Sequence, residues 1–178
     1  LNQDYEKVKK VLKKLKKENE FYYWFRIKKE TQIIINENGY EEGIDYISSK
    51  FRKIDNPNLK MVFDIANFYK NSKNYKKAIE YYTKIIASLS EDSEIKSDLL
   101  YRRGGSYERL GNYKKADEDL LLSLKIKPDE AYVLNYLAYS WLERDYQIDE
   151  AIEMLEKAYA LRNDDPYIID SIGWAFYL

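Results

Sequence analysis

Residues 74–82 read NYKKAIEYY, residues 112–120 read NYKKADEDL, and residues 148–155 read IDEAIEML. All three stretches carry an alanine at the same place, at Ala78, Ala116 and Ala151. These alanines are 38 and 35 residues apart along the chain. Similar segments at nearly equal spacing are typical of a protein built from repeats, so we expect the fold to repeat with this period.

A second series of small residues precedes the first with the same period. It consists of Ala66, Gly104, Ala138 and Gly173, whose gaps are 38, 34 and 35 residues. Two small residues in each period indicate two helices that cross closely, because helix axes about 8–10 Å apart leave no room for a branched side chain at the crossing. The sequence therefore predicts an all-α chain of stacked helix pairs.

The segment from Tyr101 to Ile126 carries further residues of this pattern. They are Gly104, Tyr107, Leu110-Gly111-Asn112-Tyr113, Ala116 and Leu120, followed by Pro128. The pattern resembles tetratricopeptide repeats, whose unit is a helix–turn–helix of 34 residues. The resemblance implies a right-handed superhelical array of antiparallel helix pairs, in which the first helix of each pair lines a concave groove.

The period divides the whole chain, residues 1–178, into a single array. Its predicted parts are a lone second helix at 4–19, a degenerate repeat at 22–57, repeats at 59–96, 97–130 and 131–165, and a lone first helix at 166–178. Helices are expected at about 23–36 and at 41–52, 59–71, 75–88, 97–110, 113–126, 131–144 and 148–161. The degenerate repeat has Thr31 at a small-residue position and Lys50 at an apolar one. The polar residues 88–97 predict either a longer loop or an extension of the next helix.

The composition narrows the classes of function. The net charge is −1, so no overall positive field attracts nucleic acid. Cysteine and histidine are absent, which removes disulfides together with the commonest general base and metal ligand. Gly104 and Gly105 lie within a helical pattern and lack the frame of a phosphate-binding loop. We therefore predict no enzyme activity, no small-molecule substrate and no cofactor.

The first helices carry a second stripe of residues opposite their core stripe. Two positions along a helix correspond to about 200° of rotation, which places this stripe on the far side. The resemblance implies that this side lines the groove and binds a partner. The predicted members are Phe63, Asn67, Tyr101, Arg102, Arg109, Tyr132, Asn135, Tyr136, Tyr139, Tyr167, Asp170 and Trp174. The alternative interpretation is that these rings simply pack between adjacent repeats.

Tyrosine beside Asn, Arg and Asp suits recognition of another protein, because rings supply contact area and polar groups supply direction. The predicted function is a non-catalytic scaffold that binds a peptide segment or a partner helix in the groove. One subgroup of the family binds the carboxylate ends of chaperones through Lys, Asn and Arg on these faces. Asn67 and Arg102 match that subgroup in part, but Phe63 stands where a lysine is needed. We therefore do not expect that activity.

A competing function depends on the N-terminal helix. Tyr5, Val8, Leu12 and Leu15 form one face of it, and seven lysines from Lys7 to Lys17 fill much of the rest. Such a helix suits an adaptor at a membrane surface or on nucleic acid. The repeat register favours the second helix of a pair instead, because Val8 lies 35 residues before Gly43, which lies 35 before Ala78.

The ends of the chain carry two expectations. The first residue is Leu1 rather than Met, which predicts a fragment or a processed form. The last helix is expected to leave Ile169, Ile172 and Phe176 partly uncovered. Either the native chain then continues past Leu178, or this end associates with another copy.

The compartment stays open at this stage. No signal-like segment is present, and no apolar run approaches the roughly 20 residues of a membrane helix. Residues 134–137 and 170–175 are similar to a bacterial group of tetratricopeptide proteins, many of them exported or lipid-anchored. A bacterial periplasm and a cytoplasm are both compatible with this resemblance.

Overall fold

The computed structural model describes residues 2–14 and 19–177. No β-strand occurs in this part of the chain, which confirms the predicted all-α class. In chain order the helices are α1 Asn2–Leu12, α2 Glu20–Asn38, α3 Tyr40–Phe51, α4 Leu59–Asn71, α5 Tyr75–Ile86, α6 Glu94–Glu108, α7 Tyr113–Ile126, α8 Ala131–Leu142, α9 Ile148–Leu161 and α10 Pro166–Tyr177. The chain packs as two compact units, residues 1–81 (unit 1) and 82–178 (unit 2).

Asparagine side chains start two of the helices in unit 1. Asn19 Oδ1 accepts the backbone N–H of Tyr22 at 3.1 Å, and Asn58 Oδ1 accepts that of Met61 at 3.1 Å. Each bond satisfies an N–H group that the first turn of a helix cannot pair internally. Between α2 and α3, Gly39 has a φ of +102°, a value that favours glycine.

The repeat period predicts most helix boundaries closely. Helices α4, α7 and α9 begin and end at the expected residues. Helices α5, α6 and α8 each end two residues earlier than expected, at Ile86, Glu108 and Leu142. The polar segment 88–97 forms partly a loop and partly an extension of the next helix. Residues 87–93 connect the helices, and α6 begins at Glu94 after Ser93, which has the extended backbone of an N-cap residue. The extra length of this period is therefore shared between a loop and a helix extension.

The first helix is shorter than the predicted 4–19. Helix α1 ends at Leu12, and the chain turns at Lys13. Residues 15–18, which carry part of the predicted basic face, lie outside the described residues.

In unit 1, α2 packs against α3, and α3 packs against α4. The ring centroids of Trp24 and Phe51 are 5.9 Å apart, and those of Phe51 and Tyr81 are 5.8 Å apart. Thr31 is fully buried at its small-residue position. Its hydroxyl donates to the Ile27 carbonyl at 2.7 Å, so the buried polar group is satisfied.

In unit 2, α6 pairs with α7, α8 pairs with α9, and α10 packs against α8 and α9. A cluster of buried apolar residues fills the space between them: Leu120, Val133, Leu137, Ala138, Trp141, Leu142, Ala151, Leu155 and Ala175.

Arg103 of α6 also lies among the packed helices of this unit. Its guanidinium donates to both Asp119 carboxylate oxygens at 2.7 Å and to Thr83 Oγ1 at 3.0 Å. The Arg103 guanidinium, paired with Asp119, therefore occupies a position on the core stripe of α6.

The small residues mark close helix crossings, as predicted. A Cβ atom on Gly104 would lie 3.0 Å from Leu120 Cγ and 3.2 Å from the Ala116 carbonyl oxygen. The aligned alanines Ala78, Ala116 and Ala151 are buried, as the register requires. Gly173 is the exception, because it is exposed and a Cβ there would meet no atom within 4 Å. The expectation of close packing is wrong for Gly173.

The face of α10 also differs in part from its prediction. Ile168, Ser171 and Ala175 are the buried residues, whereas Ile169 and Phe176 are 46% and 72% exposed. The buried residues pack on the preceding pair, α8 and α9. Ile169 and Phe176 align with residues of α8 that pack on α9, the second helix of that pair. Both side chains are exposed, as expected.

Candidate functional site

Three neighbouring depressions run along the first helices of unit 2, which are α6, α8 and α10. The N-terminal depression has a volume of about 320 Å³ and lies between the N-terminal turns of α6 and α8. The central depression has about 480 Å³ and lies between the C-terminal turns of the same helices, beside the start of α7. The C-terminal depression has about 500 Å³ and lies between α8 and α10. Tyr139 lines both the central and the C-terminal depression.

The N-terminal depression combines two tyrosine rings with paired charges. Tyr101 and Tyr132 line it together with Arg102. Arg102 Nε lies 2.8 Å from Asp98 Oδ2, so this charge is already engaged one turn away on α6. The Tyr132 hydroxyl donates to Asp165 Oδ2 at 2.8 Å, which fixes the ring beside the start of α10.

The central depression is the most polar of the three. The Tyr136 hydroxyl donates to Glu108 Oε2 at 2.9 Å, which ties α8 to the end of α6. Arg144 Nη2 forms a salt bridge with Asp117 Oδ1 at 2.8 Å. The Arg144 guanidinium also lies over the Tyr113 ring, 4.7 Å from its centroid. These bonds hold the walls of the depression in place. The predicted residues that line it are Arg109, Tyr136 and Tyr139.

The C-terminal depression is the most exposed of the three. Tyr139 lines one side, while Asp170 and Trp174 project from α10 on the other. The Trp174 ring stacks on Tyr177 with centroids 5.6 Å apart. Tyr139 and Trp174 are 39% and 38% exposed, so both rings keep free contact area.

Three tyrosines of this surface, Tyr132, Tyr136 and Tyr139, have raised pKa values and hold their protons at neutral pH. Burial and the Glu108 carboxylate raise the pKa of Tyr136 above its usual value. Burial raises the pKa of Tyr139 as well, and the Glu143 carboxylate adds to the effect. The hydrogen bond from Tyr132 raises the pKa of this phenol and lowers that of Asp165. These phenols are therefore hydrogen-bond donors at neutral pH rather than bases.

Asn135 occupies the stripe between these rings, on the turn of α8 that also carries Tyr132 and Tyr136. Its side-chain Oδ1 atom is buried and has no hydrogen-bond partner within the described residues. A buried acceptor without a donor costs about 1–3 kcal/mol, so a donor that reached it would be favoured.

The structure brings eight of the twelve predicted residues to the three depressions: Tyr101, Arg102, Arg109, Tyr132, Tyr136, Tyr139, Asp170 and Trp174. Asn135 lies on the same helix stripe, and Tyr167 is 76% exposed near the start of α10. Phe63 and Asn67 lie half-buried on α4 in unit 1. Sequence reasoning did not include Tyr113, Ser140, Glu143 and Arg144, which also line the central depression. The role of the twelve residues in binding stays a prediction.

Unit 1 has a depression of its own between α2 and the start of α4, with a volume of about 250 Å³. Phe21, Trp24 and Phe25 line it together with two lysines, Lys28 and Lys60. Asp64 organises its wall, because its Oδ2 atom accepts the Trp24 indole N–H at 2.9 Å and the Lys28 ammonium at 2.8 Å. Its position between consecutive first helices matches that of the N-terminal depression in unit 2.

In residues 2–14 and 19–177, no group of three or more acidic, histidine or cysteine side chains is placed to hold a metal ion. Across the same residues, no helix has both the length and the apolar character needed to cross a membrane.

Antiparallel helix pairs with a recurring small residue at each crossing define a helical-repeat protein. The model of the tetratricopeptide repeat family matches residues 59–88 and 97–130. These two segments therefore resemble tetratricopeptide repeats. A TPR repeat-containing protein of Pseudomonas aeruginosa is 38% identical over 80 residues, which are 45% of this chain and 14% of that protein. The chain thus matches only a small part of this bacterial relative.

Solved structures share the fold at low sequence identity. MamA from Desulfovibrio magneticus RS-1 superposes with a TM-score of 0.67 at 18% identity, over 86% of this chain and 84% of that one. The first TPR of Spaghetti (RPAP3), bound to an HSP90 peptide, has a TM-score of 0.59 at 17% identity, over 67% of this chain and 90% of that one. Both likenesses concern the fold.

Proposed function

We propose that this chain is a non-catalytic protein-interaction module, and that unit 2 binds a peptide segment or a partner helix along α6, α8 and α10. The observation that carries the proposal is the row of three depressions lined by tyrosine, tryptophan and fixed polar groups. The RPAP3 repeat domain, which has the same fold, is bound to a peptide of another protein. That relationship supports a peptide or protein as the class of partner.

The rings that supply contact area are held in defined positions. Tyr101 and Tyr136 meet edge to face with centroids 5.8 Å apart, and Tyr136 is also bonded to Glu108. Rings that are fixed before binding lose little conformational entropy when a partner arrives. Tyr139 and Trp174 then offer exposed ring area next to Asp170. Such aromatic anchors beside polar groups are the residues that dominate binding energy in protein interfaces.

The polar groups favour a partner that brings hydrogen-bond donors. The Tyr132 and Tyr136 phenols already donate their protons to Asp165 and Glu108, so a bound segment meets their hydroxyl oxygens as acceptors. The unpaired Asn135 Oδ1 can accept from an N–H group. Arg102 and Arg144 are paired with Asp98 and Asp117, so neither presents an isolated positive charge. The surface therefore suits a segment of mixed polarity rather than a strongly acidic one.

Selection from a displayed library of random peptides tests this proposal. The intact 178-residue chain serves as bait, and the selected peptides are measured against Tyr139→Ala and Trp174→Ala. Each variant is expected to bind at least about tenfold more weakly, because it truncates an aromatic anchor. Tyr159→Ala is the matched control, since Tyr159 is 41% exposed on α9, outside the three depressions. Peptides that tolerate both truncations but lose affinity for the control variant would move the binding site elsewhere.

A further inference from the structure

Gly105 lies in the last turn of α6 and faces α8 rather than the partner helix α7. A Cβ atom on Gly105 would lie 3.4 Å from the Tyr136 hydroxyl oxygen and 3.6 Å from Cζ of the same ring. The adjacent Gly104 differs, because a Cβ there would crowd Leu120 and the Ala116 carbonyl oxygen of α7 at 3.0 and 3.2 Å. The crossing of α6 and α7 therefore explains Gly104 but not Gly105.

A glycine at position 105 weakens the helix that carries it. Glycine is less favourable than alanine in a helix, because it loses more backbone freedom on folding. An alanine at 105 would meet Tyr136 only at ordinary contact distances. A longer side chain, by contrast, would extend into the space that the tip of the Tyr136 ring occupies. The glycine therefore leaves room for this ring.

The repeat period shows how Gly105 differs from its counterparts. It aligns Gly105 with Asn67 of α4, Tyr139 of α8 and Trp174 of α10. Each of these three helices carries a side chain at this place, and two of the three side chains are large rings. In α6 the place is taken by the Tyr136 ring, which comes from α8.

The Tyr136 ring is held against α6 by two further contacts. Its hydroxyl donates to Glu108 Oε2 at 2.9 Å, and its ring meets Tyr101 edge to face with centroids 5.8 Å apart. The ring also lines the central depression, whose volume is about 480 Å³. Because Tyr101 blocks one side of the ring, a ring displaced from Gly105 would move into the central depression.

We propose that Gly105 determines the size of the partner side chain that the central depression accepts. With glycine at 105, the Tyr136 ring lies against α6 and the depression has room for a large side chain of the bound segment. The Glu108 and Glu143 carboxylates also line it, so this side chain is one that brings a donor, such as arginine, tyrosine or tryptophan. Gly105 is thus a positioning residue that acts through Tyr136, and this inference rests on the proposed function of unit 2.

Peptides selected on the parent chain from a displayed random library test the inference. Gly105→Leu is expected to bind them at least about tenfold more weakly, because the leucine or the displaced ring fills the depression. Gly105→Ala is expected to bind within about twofold of the parent and to melt at a higher temperature. Glu118→Leu is the matched control, since it adds the same side chain at an exposed position of α7 and is expected to bind like the parent.

A second selection separates a role in specificity from a structural role. Gly105→Leu serves as bait for the same library once circular dichroism has verified its helix content. It is expected to select a small residue where the parent selects a large one that carries a donor. Changing that large residue of the parental peptides to alanine should weaken binding to the parent about tenfold and leave binding to Gly105→Leu unchanged. Gly105→Asn, which copies the aligned Asn67, replaces the leucine variant if that variant does not fold.

Several results would overturn the inference. Parental peptides that bind Gly105→Leu as they bind the parent, but lose affinity for Tyr139→Ala, show that unit 2 binds peptides without control by residue 105. The same residue preference in both selections has the same meaning. Loss of helix content in both Gly105→Leu and Gly105→Asn would assign the glycine to the fold alone. A parent chain that selects no peptide contradicts the proposed function itself, and this inference with it.

Discussion

Ala116 lies where α6 and α7 cross most closely. Its carbonyl oxygen would be only 3.2 Å from a Cβ on Gly104, and its own side chain is 1% exposed. A contact this close brings the α6 and α7 backbones together with no spare volume. A larger side chain at this point must therefore push the helices apart or adopt a strained rotamer.

We predict that Ala116→Leu lowers the free energy of unfolding by roughly 1–3 kcal/mol, through overpacking of this crossing. Urea denaturation followed by circular dichroism measures the change. Glu118→Leu is the control, because Glu118 is exposed on the same helix and its replacement leaves the crossing intact. If Ala116→Leu proved as stable as the parent, the register of the helix pairs would have to be abandoned.

At the scale of the element, the two helix pairs of unit 2 have the same geometry but different chemistry. Ser97 and Ser123 exchange hydrogen bonds between α6 and α7, with their Oγ atoms 2.9 Å apart. The period aligns this pair with Ala131 and Ala158 of α8 and α9, which are buried in an apolar cluster. The same position in a helix pair can therefore hold either hydrogen-bonded polar side chains or small apolar ones.

A second polar pair of α6 and α7 also aligns with apolar residues in the next repeat. It is the ion pair between Arg103 and Asp119, which aligns with Leu137 and Met154. Arg103→Leu alone leaves the Asp119 carboxylate, 6% exposed, without its partner. We expect this variant to lose about 3–5 kcal/mol of stability. Arg103→Leu combined with Asp119→Met copies the next repeat and is expected to recover most of that loss.

A double-mutant cycle of thermal and urea unfolding measures the coupling between these two positions. Its arms are Arg103→Leu, Asp119→Met and the combination. Additive losses would show that the apolar pair cannot replace the ion pair in α6 and α7. The bond from Arg103 to Thr83 does not enter this comparison, because Thr83 is exposed and its hydroxyl can bond to water instead.

The sequence predicts the helices best where its pattern repeats without interruption. The ends of α4, α7 and α9 follow from small and apolar residues in regular register. The start of α6 does not, because residues 88–97 are polar and Ser93 becomes a helix start only through its extended backbone. The end of α1 at Leu12 does not follow from the apolar spacing either, because that spacing continues to Leu15. Gly173 was misassigned because the period identifies a position but not whether a neighbouring helix covers it.

The candidate site is predictable to the extent that it lies on first helices. Tyr101, Tyr136 and Trp174 follow from the stripe opposite the core, and the structure places them along adjacent depressions. Tyr113 and Arg144 were missed because they lie at the ends of helices, where helical periodicity no longer identifies a face. Their shared contact, with Arg144 over the Tyr113 ring, depends on three-dimensional proximity across a sequence separation that a single sequence does not reveal.

At the scale of the whole molecule, buried phenols with raised pKa values couple stability to alkaline pH. Burial raises the pKa of Tyr82 above the usual value near 10, and burial with the Glu108 carboxylate does the same for Tyr136. The folded chain therefore binds these phenol protons more tightly than the unfolded chain does. Their contribution to stability is fully present below about pH 10 and is lost as pH rises from there through the folded pKa values.

We predict that Tyr136→Phe makes the free energy of unfolding fall less steeply between about pH 10 and pH 12, because one phenol with a raised pKa no longer titrates. Urea denaturation at a series of pH values measures the slope. Tyr167→Phe is the matched control, since the Tyr167 side chain is 76% exposed and its removal leaves the buried phenols in place. The Tyr136→Phe variant also loses its bond to Glu108, which shifts stability at every pH, so the slope rather than the absolute value carries the result. Equal slopes in the parent and Tyr136→Phe would mean that Tyr136 titrates alike in the folded and unfolded chains, and that burial on α8 does not protect its proton.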